Sequence, residues 1–496
     1  MVIRTWTALL VFTGTAASAA PEPLLWADPP AHRGELERAA GSVAAGIPLV
    51  REDRLRPAFH FLPPSRFMND PNGCIEVDGV YHVFYQHRAF WGEADEATAP
   101  AWGHASSRDL MRWEHWPIAL MPVPETYDWA AVASGACVVA DGWPTIVYTG
   151  VPPQTQCLAR SFDGMRTWLR YTGNPVVPAP PPLSGLADGF RDPFVWQENG
   201  EWSMLVGSGF QDGGGGCVLL YRSADLVDWG FVSVMSSGLG PDCFQWECPS
   251  FFRLEDRHVL MVSPLCRSVD GLRAPVCMSV GSFDGETFVP GPWLPVDLGG
   301  ATVFYAPQTL PDSRGRRLLF GWIMGGGSPG MPWYGMLSLP RELSLGADSL
   351  VHSWPAAEVD TLRNGNLLSV RDVSGPAELP VAGGLQLDID LEIQGQGQVE
   401  LRLCAGADPD GGYRVLWTPA DGWIRSGARE GRVPGDSGDV QRLRVLLDRS
   451  VIEVFVDGRG VLTDRLVPVV GDDRLRIRVG TGARVLRADV WRMGEP

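Results

Sequence analysis

"SRDLMRW" at residues 107–113 returns three times in variant form, as SFDGMRTW at 161–168, SADLVDW at 223–229 and SFDGETF at 282–288. Successive copies begin 54, 62 and 59 residues apart. Each joins Ser-x-Asp, whose short polar side chains bond nearby backbone and set a turn, to an aromatic four or five positions beyond the Asp. Around them run strand-like segments such as TIVYTG (145–150), EWSMLVGSG (201–209) and GCVLLYRS (216–223), while long amphipathic helical patterns are absent. A repeat near sixty residues, built of short strands and turns, predicts β-propeller blades, none of which can bury its apolar face alone. Residues 57–350 have room for five.

Beyond residue 360 the texture changes. LQLDIDLEI (385–393), QVELRLCAG (398–406), LRVLLDRSVIEVFVDG (443–458) and LRIRVG (475–480) alternate with period two between Gly/Asp turns. They predict an antiparallel β-sandwich over 360–496. The expected fold class is therefore all-β, a five-bladed propeller followed by a C-terminal β-sandwich. Residues 21–56, rich in Pro and Ala, read as a leader or linker in which GELERAAGSVAAG (34–46) could form one short helix. The Gly-rich stretches at 212–216 and 325–330 lack the Lys-Ser/Thr and the strand-to-helix setting of a phosphate loop.

Composition narrows the function classes. Of 496 residues, 45% are hydrophobic, and 58 acidic side chains face 41 basic ones for a formal charge of −17. That field opposes a nucleic-acid backbone or an anionic membrane, so neither is expected as a partner. Every basic residue is Arg. The first twenty residues carry one Arg, an uncharged middle and Ala17-Ser18-Ala19 before the end, the pattern of a signal peptide; secretion or vacuolar delivery is expected. The nine cysteines are dispersed, and neither they nor the eight histidines show ligand spacing. No metal and no organic cofactor is expected.

Asp70, in RFMNDPNGCIEV (66–77), lies 37 residues before the first Ser-x-Asp copy; Asp192, in GFRDPFVW, lies 31 before the third; Glu247, in QWECPSFF, lies 35 before the fourth. Inner strands of a propeller border one channel, so residues at equivalent positions converge there. Two readings follow from the residues alone. Acids gathered in one pocket repel one another and raise a pKa, as the cleavage of glycosidic bonds requires, or the acids pair with neighbouring Arg, Arg191 being adjacent to Asp192.

HFLPPSRFMNDPNG, YHVFYQ, WGHASSRDLMRW, GFRDP, QWECP, VFYAPQT, GWI and MLSLPRELSL occur in this order. Together they resemble the invertase, inulinase and levanase family, glycoside hydrolase family 32, over residues 57 to 345, with DRSVIEVFVDG extending the likeness into the sandwich. The resemblance implies retaining hydrolysis of terminal β-D-fructofuranosyl bonds in sucrose or short fructans through a covalent fructosyl-enzyme. Asp70 matches the nucleophile, Glu247 the general acid/base and Asp192 the carboxylate that grips fructose hydroxyls. Retention places nucleophile and acid about 5–5.5 Å apart, with Glu247 held protonated and Asp70 ionised by donors from its own turn. Asn69, Gln86, Ser134 and Arg191 match sugar-binding positions, and Trp322 with Trp91 or Trp102 would wall the ring. The chain departs from the family at Phe67, Ala133, Ser250 and Val303, and lacks the usual Asn-Pro after Gln86. A fructosyltransferase on the same scaffold, an inverting arabinan or xylan hydrolase and a non-catalytic fructan-binding lectin are the alternatives.

Overall fold

The computed structural model describes residues 26–496 except 94–98, 184, 187–188, 212, 241, 268, 270–271, 407, 409, 436–437, 470 and 472. The signal-peptide expectation for 1–20 lies outside the described residues.

Each Ser-x-Asp segment is the turn from a blade's third strand to its fourth. The first blade comprises Arg66–Val77, Val80–Arg88, Ala101–Ser107 and Trp113–His115, and the second Ala131–Ala140, Trp143–Val151, Thr155–Arg160 and Leu169–Tyr171. The third runs Arg191–Glu198, Glu201–Phe210, Gly215–Ser223 and Gly230–Gly238; the fourth runs Gln245–Leu254, Arg257–Leu265, Cys277–Phe283 and Phe288–Pro295. Asp109 Oδ1 accepts from the N–H groups of Met111 and Arg112, Asp163 from Arg166 and Thr167, Asp225 from Val227 and Asp228, and Asp284 from Glu286 and Thr287. The repeat is therefore backbone chemistry. The side chain supplies the acceptor that the turn's N–H groups need.

A fifth blade, Phe304–Pro311, Arg317–Gly326, Arg341–Leu345 and Val351–Pro355, lacks that segment. It closes the ring differently. Trp333–Leu337 pairs antiparallel with Arg317–Gly326 and parallel with the start of the first blade, Arg66 opposite Trp333 and Phe67 opposite Tyr334. The five inner strands pack each against the next, and the last against the first.

The sandwich stacks two six-stranded sheets. Leu387, Ile389, Leu391 and Ile393 enter its core as the alternation predicts. The polar partners in that strand are not solvated, however: Asp388 is buried against Arg444 and Arg363, and Asp390 against Arg442 and Arg487. A buried network also joins the sandwich to the propeller. Asp448 accepts from the backbone N–H of Ala58, Phe59 and His60, Glu453 accepts from Leu339 N–H and the Arg341 guanidinium, and Arg341 also reaches Asp297 at 3.0 Å. His60 lies between the two acids, Nδ1 2.9 Å from Asp448 and Nε2 3.1 Å from Glu453.

The leader contains a larger element than the sequence predicts. A helix spans Pro30–Arg51, 22 residues, burying His32, Ala39, Ser42, Gly46 and Val50. Its docking face is mostly small residues, so hydrophobic periodicity scarcely registers it; a Cβ at Gly46 would fall 2.5 Å from Ser65 Oγ. Ser42 fixes it to the first blade by donating to Ala89 O at 2.6 Å and accepting, through its carbonyl, from Arg66. No helix of the described residues is long and apolar enough to cross a membrane.

Candidate active site

All five inner strands break register at one level. The irregularities lie between Met68 and Pro71, Ala133 and Gly135, Arg191 and Phe194, Glu247 and Ser250, and Tyr305 and Gln308. In four of them the break holds a proline, Pro71, Pro193, Pro249 or Pro307, a residue tolerated in a strand where no ladder N–H is required. The residue before the proline takes a left-handed backbone in three blades, with φ of 64° at Asp192 and 46° at Cys248 and Ala306. For non-glycine residues this costs on the order of 1 kcal/mol each. The bulges re-aim side chains into the channel.

The structural alignment corrects one detail of the expected equivalence. Asp70 and Asp192 directly precede their prolines, and Cys248 occupies that place in the fourth blade. Glu247 stands one position earlier, with Asn69, Arg191 and Tyr305. Cys248 bridges the two aspartates, its Sγ 3.5 Å from Asp70 Oδ2 and 3.6 Å from Asp192 Oδ2, while its N–H donates to Asp192 at 3.0 Å. Asp70 further accepts from Asn69 Nδ2 and Ser134 Oγ, both at 2.9 Å. Glu247 takes Arg191 Nη2 on Oε1 at 2.6 Å and the Tyr305 hydroxyl on Oε2 at 2.9 Å. Asp70, Asp192 and Glu247, with Asn69, Ser134 and Arg191, thus share one pocket.

Its electrostatics differ from the expectation in two respects. Burial pushes the Asp70 carboxyl above its ordinary range, Asn69 opposing and the nearby Glu247 reinforcing the rise. Only Asn69 among its side-chain donors belongs to its own turn; Ser134 and Cys248 come from other blades. Asp192 is pushed up to about 7 by burial, with Arg191 opposing and the charges of Glu247 and Asp70 adding to it. Glu247 is ion-paired with Arg191 rather than simply crowded by acids.

The Asp192 shift has a measurable consequence. Because its folded value lies above the unfolded value near 3.9, its contribution to stability is complete below about pH 4 and is lost as pH rises through about 7. Asp192→Asn is expected to raise the melting temperature by about 2–3 °C at pH 8 and by much less at pH 5, as measured by calorimetry. A lower Tm at pH 8 would contradict the assignment.

Of the remaining expected residues, Gln86 is buried behind the pocket, donating to Val132 O at 3.1 Å. Trp102 is corrected. It has no exposed surface, donates to Ala133 O at 3.0 Å and packs among Phe84, Tyr148 and Trp168 between the first two blades, so it is core and forms no sugar wall. Trp91 instead joins an aromatic group at the mouth: Phe67 stacks on Tyr334 with centroids 4.9 Å apart, Trp91 lies 5.7 Å from Phe67, and Trp322 lies 6.2 Å from it. Trp322 Nε1 is buried without a hydrogen-bond partner.

The residues that sequence reasoning missed are Tyr305, Cys248 and Tyr334. The first two carried a signal, since Cys248 directly precedes the proline of an inner-strand bulge and Tyr305 stands two residues before one. Tyr334 carried none, because it reaches the pocket only through the parallel closure of the ring. At the opposite end of the channel a cavity of about 560 Å³ is lined by the later halves of the inner strands, including Cys74, Cys137, Phe194, Phe251 and Thr309. None of the three carboxylates lines it.

A propeller whose inner strands bulge to gather three carboxylates and an aromatic wall, with a sandwich locked to its side, is a glycoside hydrolase. "Glycosyl hydrolases family 32 N-terminal domain" matches residues 60–355, and "Glycosyl hydrolases family 32 C terminal" matches 358–492. The chain belongs to glycoside hydrolase family 32. It is 33% identical to a sucrose-6-phosphate hydrolase of Escherichia coli, over 92% of this chain and 98% of that protein, and 33% identical to a raffinose invertase of Escherichia coli over 87% and 93%. The structure of a β-fructofuranosidase from Bombyx mori superposes with a TM-score of 0.77 at 28% identity, covering 93% of this chain and 99% of that one.

Proposed function

We propose that the chain hydrolyses the terminal β-D-fructofuranosyl bond of sucrose or short fructans with retention. Asp70 attacks the anomeric carbon as Glu247 gives its proton to the departing glycosidic oxygen; the C–O bond breaks and a fructosyl ester on Asp70 forms. Glu247 then takes a proton from water, which releases fructose and restores Asp70. For the first step Glu247 must enter protonated, and a sugar that draws Arg191 toward its hydroxyls loosens the ion pair holding the carboxylate. Asp192 and Arg191 grip the fructose, and Phe67, Trp91, Tyr334 and Trp322 wall the mouth. The observation that carries this reading is the convergence of Asp70, Asp192 and Glu247 around Cys248. Its relatives include both a sucrose-6-phosphate hydrolase and a raffinose invertase, and a fructosyl bond is common to both substrates.

Purified protein incubated with sucrose, with products followed by NMR from the first turnover, is expected to release glucose and fructose in its β-furanose form. Release of the α-anomer first would overturn the retaining mechanism, and binding without turnover would favour a lectin. For location, we propose that residues 1–20 direct the chain to secretion. A disulfide between Cys243 and Cys266 supports this, since such bonds persist in oxidising compartments. Expression with the native N-terminus is expected to place protein beginning after Ala19 or Ala20 outside the cytoplasm. Intact protein confined to the cytoplasm would contradict that.

A further inference from the structure

The channel has two ends, and the three carboxylates occupy one. The other opens into the cavity of about 560 Å³, bordered by residues of all five blades. That volume lies within the range, about 300–1,000 Å³, of sites that hold small organic molecules. Its walls are apolar: Cys74 and Ile75 from the first blade, Ala136 and Val138 from the second, Phe194 from the third and Phe251 from the fourth. His258 stacks flat on Phe251 with ring centroids 5.3 Å apart. An aliphatic or aromatic body leaves water favourably on such a surface.

Two polar groups in this apolar setting lack partners. The Arg317 guanidinium rests over the Phe252 ring, 4.9 Å from its centroid, and among the described residues it makes no hydrogen bond and no ion pair. Elsewhere buried arginines are met by carboxylates, as Arg341 is by Glu453 and Asp297. Burial pulls Arg317 down to about 10, with no acid opposing the fall. Thr309 is 5% exposed, and its Oγ1 is buried without a hydrogen-bond partner. The two groups are neighbours. Thr309 pairs with Leu319 and Pro311 with Arg317, so Thr309 and Arg317 stand diagonally on one face of the fifth blade, roughly 7–8 Å apart along the backbone. An acceptor placed between them satisfies both.

The rim adds charge of the same sign. Arg253, exposed and opposite His258 in the fourth blade, is a second cation, and Glu198 is the single acid among the described lining residues. This end of the channel is therefore locally positive in a chain of formal charge −17. An anion is drawn here and repelled from the carboxylates at the other end.

We propose that the cavity is a second ligand site that takes an organic monocarboxylate, its apolar body lying against Phe194 and Phe251 and its carboxylate meeting Arg317 and Thr309. A carboxylate accepts from the guanidinium fork and from a hydroxyl at once. A small inorganic anion would leave the apolar walls wet, and a neutral lipid would leave the guanidinium buried without a counter-charge.

The test is calorimetric titration of octanoate, octanol and acetate into the wild-type chain, Arg317→Gln, Arg317→Lys, Thr309→Val and a control, Arg273→Gln, whose guanidinium packs on Tyr305 and Trp322 at the catalytic end. Octanoate is expected to bind once per chain, at least about 10-fold more tightly than octanol or acetate. Arg317→Gln is expected to weaken octanoate by about 10-fold or more while leaving octanol unchanged, and Arg317→Lys to recover part of the loss. Thr309→Val is expected to weaken octanoate by about 2- to 10-fold. That variant gives up no hydrogen bond within the chain, so it decides the matter should Arg317→Gln fail to fold. Octanoate binding unchanged in the control supports the site. No binding of octanoate by the wild type, equal affinity for octanoate and octanol, or a loss in Arg273→Gln rather than at Arg317 and Thr309 overturns it. Binding is read directly, so the outcome stands apart from whether sucrose is cleaved.

Discussion

Asp70→Ala is expected to lower turnover of sucrose by about 10⁴-fold or more, while sucrose binding and the melting temperature hold or improve. No neighbour can substitute for the lost carboxylate. Asp192 is held by the Cys248 N–H and Glu247 is engaged by Arg191 and Tyr305. The Asn69 and Ser134 donors that face Asp70 remain to hold sugar hydroxyls. Stability does not suffer because Asp70 is a desolvated carboxylate, whose charged form burial disfavours. Binding by calorimetry together with turnover by product assay checks the result. Residual activity within tenfold of wild type would remove Asp70 from the mechanism and with it the retaining chemistry.

The largest expected loss of stability comes from the junction between propeller and sandwich. Glu453→Gln is expected to cost about 3–5 kcal/mol in urea denaturation, because it leaves Arg341 buried with half its neutralising charge gone and deprives His60 of one of its two acids. The pH dependence has two limbs of opposite sign. Glu453 is held at about 2, where burial alone would raise it and the Arg341 charge prevails. Its contribution is present above about pH 4.3 and lost as pH falls through about 2. For His60 burial opposes protonation, but hydrogen bonds to Asp448 and Glu453 raise its value overall. That contribution is complete below about pH 6.5 and lost as pH rises through the raised value. The variant is expected to show a shallower loss of stability between pH 4 and pH 2 than wild type. A change under about 1 kcal/mol at pH 7 would show that the two domains do not depend on this cluster.

How much of this was readable in the chain follows from the range of the forces involved. The Ser-x-Asp turns disclosed the blades because an Asp that caps its own turn needs only residues within four positions. The sandwich core was legible for the same reason, since Leu387, Ile389, Leu391 and Ile393 alternate within one strand. That Asp388 and Asp390 are buried beneath arginines could not be read from the same alternation, because their partners Arg363, Arg442, Arg444 and Arg487 come from other strands. The helix Pro30–Arg51 was anticipated only as a short helix within 34–46, because it docks largely through Ala, Ser and Gly, which no hydrophobic pattern marks. In the pocket, Asp70 and Asp192 declared themselves by preceding a proline, while Trp102 misled because a tryptophan beside a site and one beneath it look alike in sequence.

The parallel pairing of Arg66 and Phe67 with Trp333 and Tyr334 also bears on biosynthesis. The strand bearing Asp70 is among the earliest to leave the ribosome, yet its flank waits for one of the last propeller segments to be made. A chain interrupted before residue 333 would lack both the latch and Tyr334, so such truncated forms are expected to be inert. Hydrolysis would then switch on once, late, when the ring snaps shut. For the same reason new termini would be better tolerated in an exposed turn such as that at Gly142 or Gly200 than near the seam.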